Sequence, residues 1–381
     1  MTLRLFIEDH FAQLSKIGHR HCGDLWIVSR TDIHTWVILA DGLGSGIPAN
    51  LSATLTTEHF LGMIREGFVP SEAIKGVLRA LHTARTKGGP WAAFSAARFS
   101  HDGEILVYCY ESPPPLLLTI RGIEELNFQP QYWEGEVVLE GVTHLRMHEA
   151  MLFFSDGVIN AGLGGSMPRG WGENGLRRFL ASSGLAQRKE LSRIPQTIVR
   201  EAASISQLRP ADDITAGVIL LRRPRILQVL TGPPGKREDT TKVMEQFTKA
   251  EGAKAVCGGT TTFLLAKHLG VVPVVHPEEF GAPAYYELPG VNLACEGVIT
   301  LNRTFNIFDE PNLDVDAGHG VTSLLELLLE ADEIYFWVGQ AINKAQQNTL
   351  KPAGLLPRQE IIEALAKKLR NVGKMAHIMR M

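Results

Sequence analysis

From Leu25 to Ala40 the apolar and β-branched residues fall in two short blocks, LWIVS and WVILA, split by the polar stretch Arg30-Thr31-Asp32-Ile33-His34. That spacing predicts a β-hairpin ending at Asp41. After DGLGSG, Pro48 can open a helix, and helical spacing runs on to Arg65; Pro70-Ser71 then precedes a second helix to about Arg85. The blocks WAAFSAARF, EILVYCY, PLLLTI, EVVLEG and AMLFFS are short, apolar and separated by turns such as His101-Asp102-Gly103 and Arg121-Gly122, which predicts a meander of antiparallel strands. A Gly-rich loop after Ser155-Asp156-Gly157, helices near 173–182 and 188–207, and a last strand ITAGVILLR complete this half. Strands, two helices, strands, helices, strand is an α+β order.

The pattern changes after the charged, Pro-containing break Arg222-Arg223-Pro224-Arg225. RILQVLT, a helix near 238–251, AKAVCGG, a helix near 261–269 and VVPVV alternate strand with helix, the pattern of a parallel α/β sheet. A leucine-rich helix near 321–330, the strand-like EIYFWVG and an amphipathic helix near 358–371 continue it. We therefore divide the chain into residues 1–223 and 224–381, a division that the 381-residue length favours over a single domain.

Composition narrows the function classes. The formal charge of −3, from 38 basic and 41 acidic residues, offers no electrostatic footprint for nucleic acid or an anionic membrane. Cys22, Cys109, Cys257 and Cys295 lie far apart with no C-x-x-C pair, as free thiols of a reducing compartment do. The opening MTLRLFIEDHFAQL carries acidic residues and a His within its apolar pattern, so it matches neither a signal peptide nor a membrane span. The expectation is a cytoplasmic protein without nucleic-acid or membrane partners.

Candidate chemistry lies in four acidic motifs at strand ends or turns: Gly23-Asp24, Asp41-Gly42-Leu43-Gly44-Ser45-Gly46, Ser155-Asp156-Gly157 and Asp212-Asp213-Ile214-Thr215. Each acid borders an apolar strand, three with glycine adjacent, where a carboxylate can be held at a sheet edge while the backbone stays open to a ligand. An all-oxygen array of this kind suits Mg²⁺ or Mn²⁺. Asp-Gly is also ordinary turn chemistry, as Asp102-Gly103 shows, so the combination carries the argument.

That combination, with ESPPPLLL, FFSDGVINA and ADDITAGVI, resembles the SpoIIE-type branch of the PPM (PP2C-like) phosphatases over roughly residues 10–222. The resemblance implies a PP2C-like β-sandwich flanked by helices. It implies a metal-dependent protein serine/threonine phosphatase using two Mn²⁺ or Mg²⁺ ions, with a third looser ion possible, and attack by a metal-bridging hydroxide. Asp41 would bridge the metals, the Gly42 carbonyl would ligate the first, and Asp156 and Asp212 would hold the second. Asp24 and Asp213 would contact metal-bound waters or the third ion. The implied substrate is a phosphorylated bacterial signalling protein, an anti-sigma-factor antagonist or stressosome-like protein, and a homodimer stays open. The chain departs from PP2C proteins in carrying Leu43 where they carry His, and it lacks a convincing phosphate-binding Arg; His19, Arg20, His21 and His34 are candidates for those roles. The alternatives are a regulatory binding module whose second domain senses a ligand, and a phosphatase of small metabolites.

Four motifs invite other readings. Gly-Leu-Gly-Ser-Gly lacks the G-x-S-x-G spacing that would make Ser45 a nucleophile. Thr231-Gly232-Pro233-Pro234-Gly235-Lys236 fails as a P-loop, with Leu230 and Arg237 where Gly and Ser or Thr are needed. Cys257-Gly258-Gly259-Thr260-Thr261-Thr262 opens a helix and could cap it or bind an anion there. Asp309, Glu310, Asp314, Asp316 and His319 form an acidic loop without EF-hand spacing. Residues 224–381 resemble no family, and their expected role is that of a sensor or substrate-recruiting domain.

Overall fold

The computed structural model describes residues 5–31, 33–87, 89, 91–184, 190–279, 281–309, 319–341 and 354–381. Asp32 of the hairpin turn, the start of the helix predicted from 188, and Glu310, Asp314 and Asp316 of the acidic loop lie outside them. The chain forms two compact units, Met1–Arg223 and Pro224–Met381.

The first unit begins with β1 (Phe6–Leu14), β2 (Asp24–Arg30), β3 (His34–Gly42), α1 (Gly46–Arg65) and α2 (Pro70–Thr86). Then come β4 (Ala92–Ser100), β5 (Glu104–Tyr110), β6 (Leu116–Thr119), β7 (Gly122–Glu125), β8 (Phe128–Trp133), β9 (Glu136–His144) and β10 (Ala150–Phe154). Helices α3 (Asp156–Ile159), α4 (Gly172–Ser183) and α5 (Ile194–Ile205) precede β11 (Ile214–Arg222). The strands form two antiparallel sheets, β1-β11-β10-β6-β7 and β2-β3-β4-β5-β9-β8.

The predicted meander is therefore corrected: β4, β5 and β9 stay in one sheet, while β6 and β10 cross to the other. Local patterning identifies each strand but not its neighbour, because both sheets carry apolar residues on both faces. One core lies between the sheets and includes Trp26, Val37, Phe99, Val107, Met151, Phe153 and Ile219. A second packs α4 and α5 on the first sheet through Leu176, Leu180 and Ile198. A third packs α1 and α2 on the other through Phe60, Ile74 and Leu78. The layers are α/β/β/α, with the hairpin sheet and the β10–β11 sheet each covered on its outer face.

Strand β1 was not marked as a strand by its pattern, since its Glu8, Asp9 and His10 interrupt the apolar run. It is pinned by pairing to β11 along its whole length, Phe6 opposite Arg222 through Leu14 opposite Ile214. Its polar residues find partners: Glu8 accepts from Arg222 Nε at 2.8 Å, and Asp9 from Arg30 at 2.6 Å and Trp26 Nε1 at 3.1 Å.

The second unit continues with β12 (Ile226–Thr231), α6 (Thr240–Lys249), β13 (Ala253–Cys257), α7 (Gly259–Leu269), β14 (Val274–His276), β15 (Tyr285–Glu287) and β16 (Leu293–Cys295). It ends with α8 (Val298–Ile307), α9 (His319–Glu330), β17 (Glu333–Val338), α10 (Arg358–Asn371) and β18 (Met375–Arg380). The sheet order is β14-β15-β16-β13-β12-β17-β18. Strands β16, β13, β12, β17 and β18 are mutually parallel, as the strand–helix alternation predicts. VVPVV departs from that alternation: β14 and β15 form an antiparallel edge. Helices α6 and α7 cover one face through Met244, Phe247 and Leu265, and α8, α9 and α10 cover the other through Leu301, Leu324 and Ile361. This is a doubly wound sheet. Among the described residues no helix is long and apolar enough to cross a membrane.

The His10 ring and the Arg222 guanidinium hold Glu8 down to about 2, against the effect of burial. A depressed carboxylate stabilises the fold fully above its unfolded value near 4.5 and loses that contribution as pH falls toward 2. Glu8→Gln is expected to cost about 1 kcal/mol or less at pH 6, because the group is partly solvated. The difference from wild type should vanish between pH 4.5 and 2 in urea unfolding curves.

Candidate metal centre

The hairpin register sets two acids face to face: Asp24 opens β2, Asp41 nearly ends β3, and they are direct cross-strand partners. Like charges in that position repel. The other sheet contributes two more. Asp156 follows β10 as the first residue of α3, and Asp212 precedes β11, with Phe154 opposite Ala216 in the ladder between them. Ser155 locks this corner, its amide donating to the Thr215 carbonyl at 2.9 Å and its Oγ accepting from the Thr215 amide at 3.0 Å. The four acids thus come from strand ends of both sheets, at one edge of the sandwich.

Their electrostatics are those of an uncompensated cluster. Asp24 is 2% exposed, and neither of its carboxylate oxygens has a hydrogen-bond partner; Asp156 Oδ1 is also buried without one. Burial pushes Asp24 up to about 7, with Asp213 and Asp156 adding to it. The Thr215 and Ser155 hydroxyls pull the other way, but neither completes a hydrogen bond to the carboxylate. Asp41 is pushed up to about 9 by burial and then by Asp24, Asp156 and Asp212. Asp212 is raised by burial and by Asp156. Carboxylates in this arrangement take up protons or a cation. Orphaned, buried, all-oxygen donors fit a hard divalent ion. Among the described residues no three His, Cys, Asp or Glu side chains close into a cage, and an ion that retains several waters needs none.

Asp213 is placed differently from its neighbours. Its Oδ1 accepts the Lys16 amide at 2.8 Å and its Oδ2 the Gly23 amide at 2.9 Å, and the residue is 3% exposed. The carboxylate ties the loop before Asp24 to the strand carrying Asp212. Its carbonyl packs so close to Gly157 that a Cβ there would come within 2.0 Å. Gly42 is under the same constraint, a Cβ meeting the Ala49 carbonyl at 1.8 Å, so the first turn of α1 seats directly on the Asp41-Gly42 strand end.

Of the other candidates, His19 reaches this edge, its Nε2 3.2 Å from Ser45 Oγ in the loop after Gly42. His34 stands at the opposite end of β3, paired with Ser100. Arg20 and His21 are exposed. Gln13 was not singled out by sequence, and Ser155 and Thr215 entered only as neighbours within the acidic motifs. Gln13 Nε2 joins the Asp24 carbonyl (3.2 Å) to Thr215 Oγ1 (3.1 Å), and only a β1–β11 pairing reveals it.

A two-sheet sandwich between helix layers thus carries a partly buried carboxylate array at one edge. Residues 31–223 match the family model for Stage II sporulation protein E (SpoIIE), and the chain belongs to that family of PP2C-like, metal-dependent protein phosphatases. No curated protein matches in sequence. Similar solved structures include the RsbU and RsbW domains of a Mycobacterium tuberculosis protein, at 17% identity and TM-score 0.48, covering 64% of this chain and 68% of that one. The PP2C phosphatase domain of Bacillus subtilis SpoIIE with a fragment of its regulatory domain gives 15% and 0.48, covering 58% and 63%. A serine/threonine phosphatase of S. agalactiae gives 12% and 0.41, covering 57% and 100%. All three scores lie below 0.5, and the assignment rests on the sequence match.

The two kinds of aspartate should respond with opposite signs. Asp41→Asn relieves repulsion and is expected to raise the melting temperature in EDTA, by about 2–4 °C for each kcal/mol relieved, while shrinking the upward shift that Mn²⁺ produces. Asp213→Asn puts an NH₂ group against a backbone amide and should destabilise by about 1.5–3 kcal/mol with or without metal. Thermal unfolding of both variants in EDTA and in Mn²⁺ distinguishes them.

Proposed function

We propose that Asp24, Asp41, Asp156 and Asp212, with the Gly42 carbonyl, hold two Mg²⁺ or Mn²⁺ ions and that the centre hydrolyses phosphoserine or phosphothreonine on a signalling protein. The observation that carries this reading is the convergence of four acids from two sheets with orphaned oxygens on Asp24 and Asp156. When bound, the ions supply charge neutralisation for the phosphoryl oxygens and lower the pKa of water. The chain's own residues do the rest. Asp24 and Asp41, opposed across the hairpin, and Asp156 and Asp212, which flank the end of the β10–β11 ladder, would hold the ions. Asn160 Nδ2 steadies Asp156 Oδ2 at 3.3 Å, and the Asp213 amide steadies Asp212 Oδ1 at 2.9 Å.

Asp213 is here a positioning residue, holding the Gly23-Asp24 loop through two amides rather than meeting an ion. His19, through Ser45, holds the loop that leads from Gly42 into α1. With Leu43 where PP2C proteins carry His, no side chain is assigned to protonate the leaving oxygen. Magnesium accompanies one similar structure, RsbX, and another similar structure belongs to a bacterial stressosome system. On this reading the substrate is a phosphoprotein of stress or developmental signalling.

Hydrolysis of a phosphoserine peptide or p-nitrophenyl phosphate by the purified protein should require Mn²⁺ or Mg²⁺ and be abolished by EDTA. Asp41→Asn and Asp156→Asn should each lower kcat/KM by about 100-fold or more. Metal-dependent turnover that survives either change would overturn the assignment.

A further inference from the structure

The doubly wound unit has its own ligand-binding edge. In such sheets ligands bind outside the carboxyl ends of strands, where the chain turns to opposite faces after adjacent strands. Neighbouring strands β13 and β16 meet that condition: α7, after β13, packs on the face with Leu230 and Phe247, while α8, after β16, packs on the face with Leu324 and Ile361. The two turns touch, a Cβ on Gly297 coming within 3.3 Å of the Gly258 Cα. A second pair, β12 and β17, also sends its helices to opposite faces, but its turns are zipped together. There Gly339 donates to the Thr231 carbonyl at 2.8 Å and Ala341 to the Pro233 carbonyl at 3.2 Å.

The α7 turn carries unused donors. No side chain caps this 11-residue helix, and among the described residues no acceptor meets the Gly259, Thr260 or Thr261 amides. Thr262, one turn in, is 0% exposed, and its Oγ1 has no partner. A helical threonine ordinarily bonds the carbonyl four residues back; here Gly258 O accepts only the Thr262 amide, at 2.8 Å. Helical Cα–Cβ bonds tilt toward the N-terminus, so the Thr262 Cβ leans toward the first turn. The Tyr286 hydroxyl stands at the other side, 2.7 Å from where a Cβ on Gly259 would lie. Gly258 has φ +139°, open only to glycine, so the backbone approaches without a side chain in the way. Gly258 and Gly259 are half-buried and Thr260 exposed, so the turn is reachable.

We propose that the Gly258–Thr262 turn of the second unit is a binding site for a phosphoryl group, held by the α7 amides, Thr262 Oγ1 and the Tyr286 hydroxyl. Glu296 lies next to Gly297, whose turn touches Gly258, and its carboxylate accepts the Ile299 amide at 3.2 Å, at the start of α8. Its negative charge opposes a bound anion there.

The test is calorimetric titration of the full-length protein with inorganic phosphate, in EDTA so that the first unit binds none through metal. Saturable binding is expected, at least tenfold weaker in Thr262→Val and in Gly259→Ala, retained in Thr262→Ser, and stronger in Glu296→Gln. No saturable binding by wild type, equal affinity in Thr262→Val, or equal loss in Thr262→Ser and Thr262→Val would each overturn the proposal.

Discussion

Repulsion among carboxylates held at one edge of the β-sandwich is the constraint on which the rest of the first unit depends. Asp24 and Asp41 face each other across a hairpin, and Asp156 and Asp212 approach from the other sheet. Left to themselves, such groups would move apart or keep their protons, as the values near 7 and 9 for Asp24 and Asp41 express. They stay together because each is attached to a strand end whose apolar side chains are committed to a buried core. The sandwich holds the acids in place, at a cost that a bound divalent ion would remove.

Rigidity at this edge comes from close backbone contact more than from side-chain packing. The α1 turn rests on Gly42, and the Asp213 carbonyl rests on Gly157, at distances that admit no Cβ. Asp213, with both oxygens on backbone amides, joins the loop of Asp24 to the strand of Asp212. Adjacent acids in one Asp-Asp pair therefore have different work: one faces the cluster, the other holds the frame.

The second unit follows another logic. Its parallel strands are buried on both faces by helices, so polar groups collect at the carboxyl edge, where strands stop and helix amides begin. At the α7 turn, with its glycines, orphaned threonine and nearby tyrosine, donors outnumber acceptors among the described residues.

The sequence by itself determined the strands that alternate or run apolar, the helix that Pro70 opens and the one that begins two residues before Pro48, the break at Arg223-Pro224, and the acids at strand ends, because these are local signals of periodicity and turn chemistry. It did not distribute the strands: β6 and β10 leave the apparent meander for the other sheet, and polar β1 is a strand only because β11 pairs with it. Nor could it show that Asp213 accepts two backbone amides, or find Gln13, since these contacts are set by partners distant in sequence, such as the Lys16 and Gly23 amides. Residue type and spacing fix which groups can bind an ion; only the packing of two sheets decides which of them face one another unpaired.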